Sequence, residues 1–173
     1  MAEDNIPGIT SDKDKSRLLF AQWVLERNLS WIAAAEIKVG VVTTMGVAML
    51  GGLAAAFGAA ATKSAWLYSF STLAAVAVVT ALVCAAMALI PRVSGPNESL
   101  VFFGRVAAQD NWRYNDALRD ATDADLLHDC AMQAHRNAQI ACEKHIWVRR
   151  AIISALLGVP PWLVALALSM KLS

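Results

Sequence analysis

Charged residues are missing from three long stretches of the sequence. Residues 39–61, 65–90 and 151–170 contain no Asp, Glu, Lys, Arg or His. A helix of about 20 residues crosses the core of a bilayer, and each stretch is at least that long. A charge at mid-depth costs roughly 2.5–3.5 kcal/mol on insertion scales. Three such stretches exclude an ordinary soluble core and predict three transmembrane helices.

Cysteine is scarce, and neither sign of charge dominates. The chain has three cysteines and a formal net charge of +1. An odd number of thiols without paired spacing does not indicate a disulfide framework, and near-neutrality argues against a nucleic-acid-binding protein. The cysteines and the three histidines have neither zinc-finger nor metalloprotease spacing, so no metal and no other cofactor is expected. The sequence also lacks a glycine-rich phosphate loop and a nucleophile with its base, so no enzyme is predicted.

The basic residues lie on one side of the predicted membrane. Thirteen of the fifteen Lys and Arg residues fall before residue 39 or between residues 91 and 150. The positive-inside rule therefore predicts a multi-pass protein of the inner (plasma) membrane, with a cytoplasmic N-terminus, a cytoplasmic segment over 91–150 and the C-terminus outside the cytoplasm. Because the first apolar run follows a long polar stretch, no cleavable signal peptide is expected, and the mature chain is expected to start at its N-terminus.

Two segments outside the spans have the pattern of amphipathic helices. In the first, residues 12–38, apolar side chains recur at helical spacing, and Ser11 or Asp12 is a candidate cap. Nothing between Glu36 and Val39 breaks a helix, so this segment is predicted to continue into the first span. The second is predicted to start near Thr122 or Asp123 and to reach the third span unbroken. We call these segments stalks.

The predicted protein is therefore an all-α integral membrane protein with three transmembrane helices and long cytoplasmic helical stalks. Its expected organisation is a disordered N-terminus over 1–11, a cytoplasmic amphipathic helix over 12–38, a transmembrane hairpin over 39–90, a cytoplasmic helical region over 91–150, and a third transmembrane helix with a short tail over 151–173. The first span contains small residues four apart, which permit close helix packing either within one chain or between chains. They are Gly51, Gly52, Ala55, Ala56 and Ala59.

Four short motifs have a specific order relative to the spans. They are residues 28–32 (NLSWI) and 35–38 (AEIK) before the first span, 100–104 (LVFFG) after the second, and 133–137 (QAHRN), followed by Ile140 and Lys144, before the third. In this order they resemble the transmembrane effectors of bacterial Pycsar antiphage systems over nearly the whole chain after Asp14. Glu36 departs from the pattern, since an aspartate is more often expected there.

The resemblance implies an effector that a cyclic pyrimidine mononucleotide, made by a partner cyclase, activates during phage infection. The effector would then impair the integrity of the inner membrane and halt the infected cell. Since the sequence contains no separate cyclic-nucleotide-binding domain, the messenger would be sensed by the stalks or between chains of a homo-oligomer in the lipid bilayer. The alternative is a non-enzymatic helical membrane adaptor or scaffold that binds a protein partner.

The residues that carry the resemblance include candidates for ligand binding. Basic side chains suit a phosphate, a phenylalanine can stack on a base, and two amides four residues apart share one helix face. The candidates are Glu36, Lys38, Phe102, Phe103, Arg105, Gln133, Asn137 and Lys144. Two adjacent phenylalanines cannot both face one helix-packing surface, so one is expected to lean toward the bilayer or a partner while the other fills the space between the stalks. Lys144, together with Arg149 and Arg150, alternatively serves only as a topology determinant at lipid headgroups. Glu36 alternatively forms only an ion pair at the membrane interface with Lys38 or Lys144.

Overall fold

The computed structural model describes residues 12–96 and 99–171, and within them it contains helices and no strands. The helices are α1 (Asp12–Ala59), α2 (Ala65–Leu89), α3 (Phe103–Val106), α4 (Asn111–Asp120) and α5 (Asp123–Lys171). The all-α prediction is confirmed for this part of the chain. The predicted disordered segment 1–11, including the candidate cap Ser11, lies outside the described residues.

Both stalks continue into spans as predicted. α1 runs from Asp12 to Ala59 and α5 from Asp123 to Lys171, the latter through Pro160 and Pro161. α1, α2 and α5 are each long and apolar enough to cross a membrane, which confirms the three predicted transmembrane helices. α5 begins where the sequence predicted, because Thr122 and Asp125 cap it reciprocally: the Asp125 carboxylate accepts from the Thr122 N–H at 2.9 Å, and the Thr122 hydroxyl accepts from the Asp125 N–H.

The chain divides into two compact units. Of the described residues, 12–31, 92–96 and 99–141 form one unit, here called the stalk unit. Residues 32–91 and 142–171 form the other, the span unit. α1 and α5 each contribute to both units, whereas α3 and α4 belong to the stalk unit and α2 to the span unit.

Small side chains let the three helices of the span unit pack closely. One buried cluster joins Ala35 and Val39 of α1 to α2 and α5, mostly through alanines. A Cβ atom added at Gly46 would lie 2.9 Å from the Leu82 side chain, so this glycine permits the observed distance between α1 and α2. In contrast, many large apolar side chains on the outside of this unit are more than half exposed, as expected of side chains that face lipid.

Candidate functional site

A loop in the stalk unit folds against α5 through one buried carboxylate. Asp129 is 7% exposed, and its Oδ2 atom accepts hydrogen bonds from the backbone N–H groups of Leu100 at 2.7 Å and Val101 at 3.1 Å. Hydrogen bonds to an ionised acceptor are stronger than those between neutral groups. Asp129 therefore fixes the loop backbone immediately before Phe102.

Ser99 and Gln133 form a second connection between the loop and α5, and both are buried. The Ser99 hydroxyl oxygen accepts from the Phe102 N–H at 2.8 Å and from the Gln133 side-chain amide at 3.1 Å. The Gln133 amide nitrogen carries two hydrogens and its oxygen is a further acceptor, so this one bond leaves it capacity for others.

Arg136 holds the start of the same loop. Its Nε donates to the Ser94 carbonyl at 2.9 Å, one terminal nitrogen donates to the Ser94 hydroxyl, and the other donates to Gln139 Oε1 at 3.2 Å. A guanidinium group has five N–H donors. Two donors therefore remain beyond the bonds that the described residues provide.

The two adjacent phenylalanine rings stay in contact but differ in exposure. Phe102 is half buried, and its ring lies against Gly95 and Gly104: a Cβ atom added to Gly95 would come within 2.6 Å of the ring, and one added to Gly104 within 2.8 Å. Phe103 is 66% exposed, and its ring centroid lies 5.0 Å from that of Phe102. The two glycines therefore create the space that the Phe102 ring occupies.

These side chains surround a cavity of about 240 Å³. Its wall combines aromatic rings, guanidinium groups, amides and aliphatic side chains, which is the composition of a site for a small ligand that has both a flat apolar face and polar edges. The lining residues are Leu25, Leu29, Arg92, Ser94, Val101, Phe102, Phe103, Gln133, Arg136, Asn137 and Ile140.

The structure brings together half of the residues that the sequence proposed for the site. Phe102, Phe103, Gln133 and Asn137 line this one cavity. Arg105 is exposed on α3 and is not among the lining residues.

The other three candidates belong to the span unit. Glu36 and Lys144 form an ion pair there, with 2.7 Å between Oε1 and Nζ, which is one of the pairings that the sequence left open. Lys38 is exposed and lines a separate apolar groove with Ile37 and Met45.

Sequence reasoning missed Asp129, Ser99, Arg92 and Arg136. Asp129 had a usable signal, because it lies four residues before Gln133 and eight before Asn137, and side chains four apart share a helix face. Arg92 was counted only among the basic residues that set the topology, and Arg136 was counted there and as part of the 133–137 motif, but neither was proposed to bind the ligand. Their place in the cavity depends on the path of the loop, which no local pattern specifies.

Cys130, the neighbour of Asp129, is not a reactive group of this site. Burial raises the pKa of its thiol, and the negative charge of Asp129 raises it further. A thiol with a raised pKa stays protonated at neutral pH and is a poor nucleophile.

The model of the Pycsar effector protein domain matches residues 20–171, a range that includes every residue of the cavity. A similar protein is the Pycsar effector protein PtPycTM of Propioniciclava tarda, which is 29% identical over 138 residues; the match covers 75% of this chain and 68% of the relative. No solved structure matches the chain.

Proposed function

This chain belongs to the Pycsar effector protein family, and from that premise we propose that it is activated by a cyclic pyrimidine mononucleotide bound in the stalk-unit cavity. The family supports an antiphage effector role in a membrane, in which a partner cyclase supplies the signal. We propose in addition that the stalk-unit cavity is the binding site and that α5 transmits the effect of binding to the membrane.

The chemistry of the cavity is the observation that carries the proposal. A pyrimidine base stacks on the Phe102 or Phe103 ring, a contact worth roughly 1–3 kcal/mol per base. The two available N–H groups of Arg136 bind the cyclic phosphate. Gln133 and Asn137 hydrogen-bond the base edge, since an amide both donates and accepts. The cavity volume of about 240 Å³ is just below the range of roughly 300–1,000 Å³ for small-molecule sites. This small volume favours a mononucleotide over a larger ligand.

Ligand binding would change the contacts of the loop. A phosphate bound by the two remaining N–H groups of Arg136 shares the guanidinium group that already holds Ser94, so the bound state has a contact at the start of the loop that the unbound state lacks. A ligand shifts a conformational equilibrium only by binding one state better than the other. Because Gln133, Arg136 and the third span all belong to the uninterrupted helix α5, the change acts on a helix that enters the bilayer.

The effect on the membrane is proposed to be assembly of copies or disruption of the bilayer. The three uncharged spans provide no Asp, Glu, Lys, Arg or His side chains for the lining of a selective channel. The proposed orientation has the stalk unit in the cytoplasm, where the messenger is made, and the C-terminus on the opposite side. A reporter fused after the last residue that is active only inside the cell would contradict this orientation.

Binding of the full-length protein in detergent to cyclic CMP and cyclic UMP, measured by calorimetry, tests the site. We expect Arg136→Gln to weaken affinity at least tenfold and Phe102→Ala to weaken it similarly. Arg105→Gln is the matched control, because Arg105 is an exposed arginine outside the cavity lining, and we expect it to stay within twofold. A tenfold loss of affinity in Arg105→Gln, with no loss in Arg136→Gln, would show that Arg105 on α3 contacts the phosphate and that Arg136 does not.

Membrane potential recorded in cells with and without the partner cyclase tests the consequence. Depolarisation that requires both the cyclase and an intact Arg136 is the expected result. Nucleotide binding without any depolarisation would support the binding site but would refute membrane damage as the effect of binding.

A protein-binding adaptor is the second candidate function, and one surface favours it. Phe20, Trp23 and Trp31 on α1 are each more than half exposed, and the Arg27 guanidinium lies 5.9 and 6.0 Å from the centroids of the two tryptophan rings. Exposed aromatic and arginine side chains are enriched where proteins bind one another. Stable co-purification of a partner, lost in Trp23→Ala, together with no nucleotide binding would favour this function.

A further inference from the structure

An apolar groove between α1 and α5 in the span unit has a basic residue at one end. The groove has a volume of about 280 Å³ and is lined by Lys38 and seven apolar side chains. Of these, Val42 and Ala155 are buried, whereas Val41 and Leu156 are 64% and 61% exposed. The groove is therefore open along one side, and none of its residues belongs to the proposed nucleotide cavity.

The groove is no deeper than one leaflet of a bilayer. Lys38 directly precedes the uncharged stretch 39–61, and Met45 is the lining residue of α1 that lies farthest into it. The seven residues from Lys38 to Met45 rise ~10 Å along an α-helix, less than the ~15 Å that one leaflet contributes to a hydrocarbon core of about 30 Å. One lipid molecule can therefore place its headgroup beside Lys38 and an acyl chain along Val41 and Met45.

A second basic residue lies at the same end of the groove. Arg149 comes two positions before the uncharged stretch 151–170, three before Ile152 and seven before Leu156, so it shares the face of α5 that lines the groove. Lys38 and Arg149 are both exposed, and neither forms an ion pair in the part of the chain that the structure describes. The head of the groove thus has two cations without a counter-charge.

The neighbouring Arg150 is placed differently. It lies two positions before Ile152 and six before Leu156, which puts it on another face of α5. Its guanidinium group lies 4.7 Å from the centroid of the Trp147 ring. A general attraction of basic residues to lipid headgroups should involve both arginines equally, whereas a site in the groove should involve Arg149 alone.

The two cations favour a lipid over a second copy of this chain as the occupant of the groove. A transmembrane helix of a second copy would cover the apolar side chains, but the three spans contain no acidic residue. Glu36, the nearest acidic residue of α1, is already paired with Lys144. A phospholipid supplies both an acyl chain and a phosphate, and basic pockets between transmembrane helices bind anionic headgroups.

We propose that this groove binds one anionic phospholipid, with the phosphate on Lys38 and Arg149 and an acyl chain along Val41, Met45 and Leu156. The aliphatic part of a lysine side chain lies on apolar surface while its ammonium group reaches the headgroup level. Because the bound lipid contacts α1 and α5 together, it stabilises the packed form of the span unit. The proposal goes beyond the proposed function and does not depend on nucleotide binding.

Lipid titration of the full-length protein in detergent, followed by native mass spectrometry, tests the ligand. We expect phosphatidylglycerol to bind at least tenfold more tightly than phosphatidylcholine with the same acyl chains, because the choline group already neutralises its own phosphate. Equal affinities would refute the role of the two cations. Inorganic phosphate at the same concentration should leave the bound lipid in place, and displacement of the lipid by it would show a site for a free anion instead.

Substitution of the basic residues tests the position of the headgroup. Lys38→Gln and Arg149→Gln should each weaken phosphatidylglycerol binding roughly fivefold, the factor that corresponds to about 1 kcal/mol per basic residue. Both variants should unfold at the wild-type temperature in detergent without added phospholipid, so the loss of affinity is not a loss of fold. Arg150→Gln is the matched control and should stay within twofold. Equal losses in Arg149→Gln and Arg150→Gln would refute a specific site.

Filling the groove tests the position of the acyl chain. Val41→Trp places a large ring in the groove and should weaken phosphatidylglycerol binding at least fivefold. Val47→Trp is the control, because Val47 is a 59% exposed valine of the same span that does not line the groove. Unchanged affinity in Val41→Trp would show that the lipid does not lie in the groove.

Nucleotide binding of the same variants, measured by calorimetry, separates this site from the proposed nucleotide site. None of the substituted residues lines the nucleotide cavity, so affinity for cyclic nucleotide should stay within twofold while lipid affinity falls. If nucleotide binds and phosphatidylglycerol is not preferred, the lipid site alone is refuted. If phosphatidylglycerol is preferred and no nucleotide binds, the nucleotide site fails and the lipid site is supported.

Discussion

Lys144 on α5 donates a hydrogen bond to Glu36 on α1 across 2.7 Å, and the two side chains differ sharply in burial. The Lys144 side chain is 7% exposed, whereas that of Glu36 is 49% exposed. The pair joins two helices of the span unit. The ammonium group is therefore almost completely buried, whereas the carboxylate remains about half exposed.

This difference in burial predicts an unequal response to neutralising either partner. Glu36→Gln leaves a buried ammonium group without its counter-charge, so we expect the free energy of unfolding to fall by about 2 kcal/mol. This is less than the roughly 3–5 kcal/mol for breaking a fully buried pair, because Glu36 is half exposed. Lys144→Met leaves only a carboxylate that stays half exposed, so we expect the free energy of unfolding to change by less than about 1 kcal/mol. Thermal unfolding in detergent measures both.

Lys38→Met is the control for this pair, since Lys38 is exposed and belongs to the same unit. It should leave the unfolding temperature unchanged. A larger loss for Lys144→Met than for Glu36→Gln would contradict the burial argument.

Gly95→Ala should displace the Phe102 ring. The new Cβ atom would lie 2.6–2.8 Å from three ring carbons, including the one attached to the Phe102 Cβ, so the ring cannot yield by a small movement of its tip. We expect a destabilisation of roughly 1–3 kcal/mol, as for overpacked cores, and weaker nucleotide binding. Thermal unfolding and calorimetry measure the two effects.

Gly40→Ala is the matched control, because an added Cβ atom at that helical position meets nothing within 4 Å. Alanine in place of an exposed helical glycine is expected to be neutral or to stabilise by up to about 1 kcal/mol. Equal effects at positions 40 and 95 would show that the space around Phe102 does not depend on the glycine.

Asp129→Ala should free the loop before Phe102. The carboxylate accepts the backbone N–H groups of Leu100 and Val101, and hydrogen bonds to charged groups contribute roughly 1.5–3 kcal/mol each. Amide hydrogen exchange at these two residues should therefore become roughly tenfold to a hundredfold faster. Asp116→Ala, at an exposed position of α4, is the control and should leave that exchange unchanged. Protection that survives Asp129→Ala would assign the order of the loop to other contacts.

The start of α5 should weaken in acid. The Thr122 hydroxyl and backbone N–H donate to Asp125 and hold the pKa of its carboxyl below the usual value. A carboxyl with a lowered folded-state pKa stabilises the fold above its unfolded pKa of about 3.9, and this contribution disappears as the pH falls through the lower folded value. Carbon NMR of the Asp125 carboxyl in detergent measures the titration.

Thr122→Val removes the hydroxyl and keeps the shape, so it should raise the pKa of Asp125 and move the loss of helix order to higher pH. Thr62→Val, between α1 and α2, should leave the titration as it is. An unchanged Asp125 titration in Thr122→Val would show that the hydroxyl does not set it.

The local features of this protein were predictable from particular residues. The absence of charge in 39–61, 65–90 and 151–170 predicted α1, α2 and α5 as spans, and Thr122 or Asp123 predicted the start of α5. Four of the eleven residues that line the candidate site were predictable as well, since Gln133 and Asn137 share a helix face and Phe102 and Phe103 stand in one motif. Helix period, capping and insertion energy are all set by residues within a few positions of one another.

Contacts between distant residues were beyond the sequence. Asp129 meets Leu100 across 29 positions, Arg136 meets Ser94 across 42 and Lys144 meets Glu36 across 108. The sequence named Lys38 and Lys144 as possible partners of Glu36 without choosing between them, did not propose Asp129 or Arg136 for the site, and treated all small residues of the first span alike. Folding brought these groups together, because a hydrogen bond or a close packing contact depends on distances of a few ångströms that are set only when the helices and the loop have packed.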